Sequence, residues 1–352
     1  MSLSGCPRED GTAAPTTVDA GAPATGWVVR AHPCQGGRTD ALLYVGGDTF
    51  YVGCGSGAEG RGLWRSDDAG STWGAVEGFG TWRVSDLSRA PAGDLFVAGI
   101  DTASRVAVAR YAPEDGAVDT IWMRTDQVDE SFHVGHFARL ADGRAVAESL
   151  TGGGLVARAA DDAPWAPVRP WSSDGVGHQI LDLAASEDAF FAVGSTIIEP
   201  PTIFVPATSE AALFDPVRPL EDVRGELWAL ALTDDGLLAV GVDQDADRAL
   251  LLQSGPEPGD AAGWRAVDVT PLIEGKSWLR GACAAGSDRV AVGERQPLGR
   301  GTGRVLRSAD AGATWFDDSP AADAGSWSRC VITDDGRLVV AGADGGFAIR
   351  GL

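Results

Sequence analysis

Arg280, Arg329, Asp40 and Asp86 are the side chains of this 352-residue chain whose types and positions most invite chemistry. A guanidinium offers a rigid fork of donors to an anionic or hydroxyl-rich ligand, and a carboxylate accepts hydrogen bonds or serves as acid or base. Trp82, Trp228, Trp278 and Trp327 stand near them in sequence and carry flat apolar faces suited to a sugar ring or a partner's side chain. Arg38, Arg83, His133, His136, His178, Glu226 and Lys276 complete the charged neighbourhood. In an enzyme, Asp40, Asp86 or Glu226 would do the proton chemistry with Arg280 and Arg329 anchoring the substrate. In a binding protein, the same groups make a charged and aromatic recognition surface.

What brings such distant residues together is a repeat. A short β-branched or aromatic run recurs seven times and closes on Gly53, Gly99, Glu148, Gly194, Gly241, Gly293 and Gly342, at intervals of 46 to 52 residues. That period is the length of a four-stranded propeller blade. Counting back thirteen residues from each closing position selects Asp40, Asp86, Gly135, Leu181, Trp228, Arg280 and Arg329, near the start of each innermost strand. Blades converge on a channel there, so these positions form the expected ligand funnel. Ring closure would set the acidic blades one and two beside the basic blades six and seven.

The remaining elements follow the same rhythm. An apolar strand precedes each run, a third follows it, and Trp73, Trp122, Trp165, Trp264 and Trp315 open the fourth; the fourth unit is irregular at Pro200-Pro201. Helical periodicity is nearly absent and the chain reads as all-β. The seventh unit stops after three strands, near Phe347 to Arg350, leaving an edge that would invite aggregation. Gly26 to Arg30 has the Trp-led pattern of an outer strand and can fill that place. The expectation is a seven-bladed β-propeller over residues 26–352, closed by its N-terminal strand, with 1–25 as a Pro/Ala/Thr-rich tether. A closed ring leaves no edge demanding a partner, and a monomer is expected.

Two stretches are nearly identical: Ser66-Asp-Asp-Ala-Gly-Ser-Thr-Trp73 and Ser308-Ala-Asp-Ala-Gly-Ala-Thr-Trp315. Asp68 and Asp310 would accept main-chain N–H groups inside a hairpin turn, and Gly70 and Gly312 would supply a positive φ. Trp73 and Trp315 would return into the sheet. The shared Ser-x-Asp-x-Gly-x-Thr-Trp resembles the Asp-box (BNR) repeat of sialidase-like propellers, in which the motif is structural and lies away from the active site. That resemblance implies the fold, with glycoside hydrolysis as the first enzymatic idea. The sialidase residues are not matched. Tyr44, Tyr51 and Tyr111 are all early, whereas the nucleophilic tyrosine of that family comes late, and Val29-Arg30-Ala31-His32-Pro33 is a distant echo of its Arg-Ile-Pro motif. No catalytic role is carried over.

Composition narrows the partners. A net charge of −22 opposes nucleic acid and anionic membrane surfaces, leaving a glycan or a protein as the ligand class. Leu3-Ser4-Gly5-Cys6 resembles the lipobox of bacterial lipoproteins, with Cys6 as the acylated residue, and implies an exported, envelope-anchored protein. The other four cysteines could pair as Cys34 with Cys54 and Cys283 with Cys330, although sequence allows three pairings or buried free thiols. Asp243, Asp245 and Asp247 alternate in a loop and could present oxygens to Ca²⁺, without the glycine and glutamate of an EF-hand. His133 and His136 would not share a face for zinc, and no glycine-rich phosphate loop opens a helix. The leading expectation is a non-catalytic recognition propeller, against a divergent glycosidase or lyase, or a protein-docking assembly factor.

Overall fold

The computed structural model describes residues 26–55, 61–123, 135–150, 154–168, 179–195, 200–208, 212–295, 301–320, 325–343 and 346–351, and the backbone of 17–19. Cys6, His133 and His178 lie outside these residues. Twenty-eight of the described strands form seven four-stranded antiparallel sheets, and among the described residues the one helical turn is Ala261–Gly263.

The innermost strands are Thr39–Gly46, Arg83–Arg89, Phe137–Arg139, Gln179–Ala185, Gly225–Thr233, Ser277–Ala285 and Trp327–Ile332. Each touches the innermost strand of the next blade, and the seventh touches the first, so the ring is closed. The closing strand is Val28–Ala31, which pairs antiparallel with Gly346–Gly351 from Val28↔Ile349 to Ala31↔Gly346. Its ends are pinned by long-range contacts. The Trp27 indole donates to the Asp318 carbonyl at 2.8 Å, and Arg30 donates to the Asp68 and Ala69 carbonyls at 3.1 and 2.8 Å. Within the segment expected as a tether, Thr17–Asp19 runs parallel to Thr314–Asp317 and gives blade six a fifth strand.

Each blade buries both faces, which is why its second strand reads as an unbroken apolar run: Leu95–Ile100 is buried at all six positions. Seven apolar clusters fill the seven seams, such as Phe50, Val52, Val339 and Phe347 between blades one and seven. A buried Val, Leu or Phe is worth roughly 1.5–3 kcal/mol, so side-chain packing rather than strand pairing joins one blade to the next.

The two repeated turns are part of that packing. Asp68 accepts the N–H of Thr72 at 2.8 Å and its hydroxyl at 2.7 Å, and Asp310 accepts the N–H of Thr314 at 2.8 Å and its hydroxyl at 2.6 Å. Ser66 and Ser308 each accept the N–H of the glycine four residues on, at 2.8 Å. Gly70 and Gly312 have φ of 78° and 83°, and a Cβ there would lie 2.3 Å from Phe347 or 2.0 Å from Gln253. Each turn therefore seats on the third strand of the preceding blade. Trp315 is fully buried, and Trp73 is half-buried edge-on to Phe347 at 5.2 Å.

The disulfides are Cys34–Cys54, within blade one, and Cys283–Cys330, which joins the innermost strands of blades six and seven. Such bonds fit an oxidising compartment. Among the described residues, no helix is long and apolar enough to cross a membrane.

Candidate functional site

A β-bulge near the start of the innermost strand aims one side chain per blade at the axis. Register shifts leave Asp40, Ser85, Leu181, Trp228, Arg280 and Ser328 without a strand partner in blades one, two, four, five, six and seven. All six line one central cavity of about 230 Å³. A bulge turns its extra residue out of the pleat, and its backbone crowds the facing strand. In five blades that crowding falls on the glycine closing the repeat. A Cβ on Gly99, Gly194, Gly241, Gly293 or Gly342 would lie 1.8–2.1 Å from the carbonyl oxygen two residues before the bulged one. In those five blades the closing glycine is thus the backbone's answer to the bulge that builds the funnel; in blade one Gly53 instead makes room for the Val84 side chain of blade two.

Counting back thirteen residues therefore finds the bulged residue in blades one, four, five and six and misses by one in blades two and seven. There Asp86 pairs with Ala98 and Arg329 with Ala341, one residue further along than Asp182 with Val193. The longer hairpin puts Ser85 and Ser328 in the bulge. Arg329 still lines the cavity, and Asp86 becomes a staple instead, its two oxygens accepting the N–H groups of Leu87 at 2.8 Å and Phe137 at 2.9 Å. Asp182, which sequence reasoning passed over, does the same with Leu183 and Leu230 at 3.1 and 2.9 Å. An Asp directly after the bulge, followed by Leu, is the signal the two share.

Arg280 is the most elaborated group at the site. Its guanidinium lies 4.7 Å from the Trp228 ring and 5.0 Å from the Trp278 ring, and its Nε donates to Glu294 at 2.8 Å. The two indoles meet edge to face at 5.3 Å. Trp228 donates its N–H to Glu226 at 2.7 Å, and Trp278 donates to Asp247 at 3.3 Å. Burial pushes the Arg280 guanidinium down from its ordinary range while Glu294 opposes the shift. Arg38 pairs with the buried Asp40 at 2.5 Å. Arg329 donates to the carbonyls of Ser328 and Arg280 at 2.9 and 3.4 Å.

Three carboxylates outside the cavity lining are shifted by burial. Burial, and then the Asp182 charge, push Asp86 up to about 7. Burial pushes Asp182 up to about 6 against the pull of Arg329. Both side chains are partly buried and ringed by protein, so desolvation dominates. Glu148 stands where six blades have glycine. It is 1% exposed, neither oxygen has a hydrogen-bond partner, and burial pushes it up to about 8. The N–H groups of Gly135 and His136 lie on its side and offset part of that shift without closing a bond. His136 lines the cavity, with Nδ1 3.9 Å from Asp182.

Several expected site residues sit elsewhere. Trp327 is 1% exposed within the seam of blades six and seven, and Trp82 packs on Phe79 at 5.2 Å, so neither ring faces the funnel. The reason is strand alternation: both precede the bulge and point into a seam. Asp243 pairs with Arg248 at 3.2 Å, Asp245 with Arg224 at 3.6 Å, and Asp247 with Lys276. Three carboxylates drawn to three cations do not converge, and no cluster of three metal-ligating side chains exists among the described residues.

No protein-family model matches the sequence, and no curated protein matches it in sequence. Solved structures share the fold. YCF48 bound to a D1 peptide superposes with a TM-score of 0.67 at 14% identity, over 94% of this chain and 97% of that one. YCF48 from Cyanidioschyzon merolae gives 0.65 at 13%, over 93% and 99%. A streptogramin B lyase gives 0.66 at 10%, over 94% and 99%.

Proposed function

We propose that the chain is a non-catalytic recognition propeller that holds a segment of a partner protein in the central funnel. The observation that carries this reading is the pre-assembled Trp228–Arg280–Trp278 stack at the cavity wall, locked by Glu294 and Glu226. Cation–π contacts of this kind are worth roughly 0.5–2 kcal/mol each, enough to hold a charged group rigid before a ligand arrives. A structurally similar propeller, YCF48, is bound to a peptide, which supports the same use of the fold here.

A glycan is the less favoured ligand because Arg280 already covers the indole faces a sugar would stack on. The enzymatic alternative, a divergent glycosidase or lyase, would need Asp40, Asp86 or Glu226 for its proton chemistry. Asp40 is paired with Arg38, Asp86 commits both oxygens to main-chain N–H groups, and Glu226 accepts the Trp228 indole N–H, which suits structural roles. The repeated turns support membership of the Asp-box (BNR) propellers, and Cys6 with the following tether supports an exported lipoprotein of the bacterial envelope.

Peptide and glycan arrays probed with the chain, and with the Arg329→Ala and Trp228→Ala variants, test the proposal. Peptide spots bound by the parent and lost in both variants are expected. Binding confined to glycans, or indifferent to both substitutions, would overturn it.

A further inference from the structure

The charges of the funnel are sorted by blade. Its arginines come from blades six, seven, one and two, a continuous arc across the closure seam, while blades three to five present His136, Gln179, Leu181 and Glu226. In a chain of net charge −22, an arginine-lined arc is a local exception.

The two arcs are unequally satisfied. Arg280 and Arg38 are neutralised by Glu294 and Asp40. Arg329 has only carbonyl oxygens as hydrogen-bond acceptors among its described contacts, and its field reaches across to Asp86 and Asp182. On the facing arc, Asp182 lies 3.9 Å from His136, while Glu148, buried beside His136 with both oxygens unpartnered, keeps its proton because burial pushes it up to about 8. Glu226 accepts one indole N–H at Oε2.

A lone anion drawn to Arg329 would share the cavity with Glu226 and stand near Asp182, and a lone cation drawn to Glu226 would face the guanidinium groups. Either leaves one set of low-dielectric charges worse off than before. A ligand carrying both charges relieves both arcs at once. The cavity, at about 230 Å³, falls below the ~300 Å³ at which drug-sized pockets begin, so one residue-sized group fits.

We infer that the funnel receives a zwitterionic group, its carboxylate against Arg329 and its ammonium against the Glu226 and His136 side. The inference rests on the recognition reading and sharpens it. Two sources carry this chemistry: a free amino acid, or the N-terminal residue of a peptide whose side chain is acidic.

Isothermal titration of the intact chain at neutral pH and fixed ionic strength decides the matter. The probes are glutamate, 4-aminobutyrate, a tetrapeptide amide beginning with aspartate, its N-acetylated form, acetate and ethylammonium. At least one zwitterion is expected to bind tenfold or more tightly than both acetate and ethylammonium. That preference should fall at least tenfold in Arg329→Ala and in Glu226→Gln, with Arg329→Lys as a second variant should the alanine chain fail to fold. Preference for the free amino acids, or for the tetrapeptide with loss on acetylation, supports the inference and identifies the source. Acetate binding as well as the zwitterions, or no zwitterion bound at ~10 mM, overturns it. Should the arrays still give funnel-dependent peptides in that case, the recognition reading stands and only the charge assignment fails.

Discussion

The Asp86 carboxylate of blade two accepts the main-chain N–H of Phe137 in blade three at 2.9 Å. Asp182 repeats the relationship across blades four and five by accepting the N–H of Leu230 at 2.9 Å. Both aspartates follow a funnel bulge directly, so the groups that aim the funnel residues are coupled to the groups that hold neighbouring blades in register.

Removing a staple should cost stability. Asp86→Ala leaves the Phe137 N–H facing a seam without its acceptor, and a loss of about 1–3 kcal/mol is expected in urea unfolding. Asp86→Asn keeps an acceptor oxygen and should lose less. Equal stability of the alanine variant and the parent would contradict the staple.

Stability should fall as pH rises from 6.5 to 8. Glu148, at about 8, and Asp86, at about 7, hold protons in the folded chain that ordinary carboxylates have already released. The folded state then binds more protons than the unfolded one, and raising the pH removes about 2 kcal/mol over this window. His32 opposes this only weakly there. Burial lowers it to about 4, its Nδ1 accepts the Cys34 N–H at 2.9 Å, and its opposing contribution falls mostly between pH 4 and 6.5, with only a small tail above. Glu148→Gln should remove most of the slope and raise the melting temperature at pH 8. An unchanged slope in that variant would mean that Glu148 is ionised in the fold.

The closing glycines should resist substitution far more than exposed ones. A Cβ at Gly241 would lie 1.8 Å from the Glu226 carbonyl, which the bulge fixes in place. Gly241→Ala is expected to cost about 3 kcal/mol or more, read as a lower denaturation midpoint. Gly74→Ala, with nothing within 4 Å, should stay within about 0.5 kcal/mol.

The two disulfides should contribute unequally. Cys283–Cys330 spans 47 residues and Cys34–Cys54 spans 20. Loop-closure entropy alone favours the longer by about 0.8 kcal/mol, within a usual 2–4 kcal/mol for each. Replacing Cys283 and Cys330 together by serine should therefore lower stability more than replacing Cys34 and Cys54. It should also weaken array binding at the funnel, since Cys330 adjoins Arg329 and Cys283 lies three residues beyond Arg280. Unchanged funnel binding in a folded double variant would show that the seam holds its geometry without the bond.

The fold was written locally. Seven short apolar runs closing on a small residue, with a missing outer strand at one end and a spare one at the other, sufficed to read the blades and their closure, because blade packing repeats one pattern of burial. Arg280, Trp228 and Leu181 were found for the same reason: they keep a fixed distance from a glycine whose smallness the bulge demands, and Asp40 keeps that distance from Gly53, whose smallness the neighbouring Val84 side chain demands. Ser85 and Ser328 escaped because one extra hairpin residue shifts the count, and a shift of one exchanges opposite faces of a strand. Trp327 and Trp82 were misplaced because tryptophan in a seam and tryptophan in a channel look alike in sequence. What only the tertiary structure decided is the sorting of charge around the ring: Glu294 against Arg280, Asp40 against Arg38, Arg329 facing Asp86 and Asp182, and Glu148 buried without a partner. Arg329 lies far in the chain from Asp86 and Asp182, and only closure of the ring gives them a distance; the Arg38–Asp40 and Arg280–Glu294 pairs are close in sequence or across one hairpin, and it is the bulges at Asp40 and Arg280 that aim them at the channel.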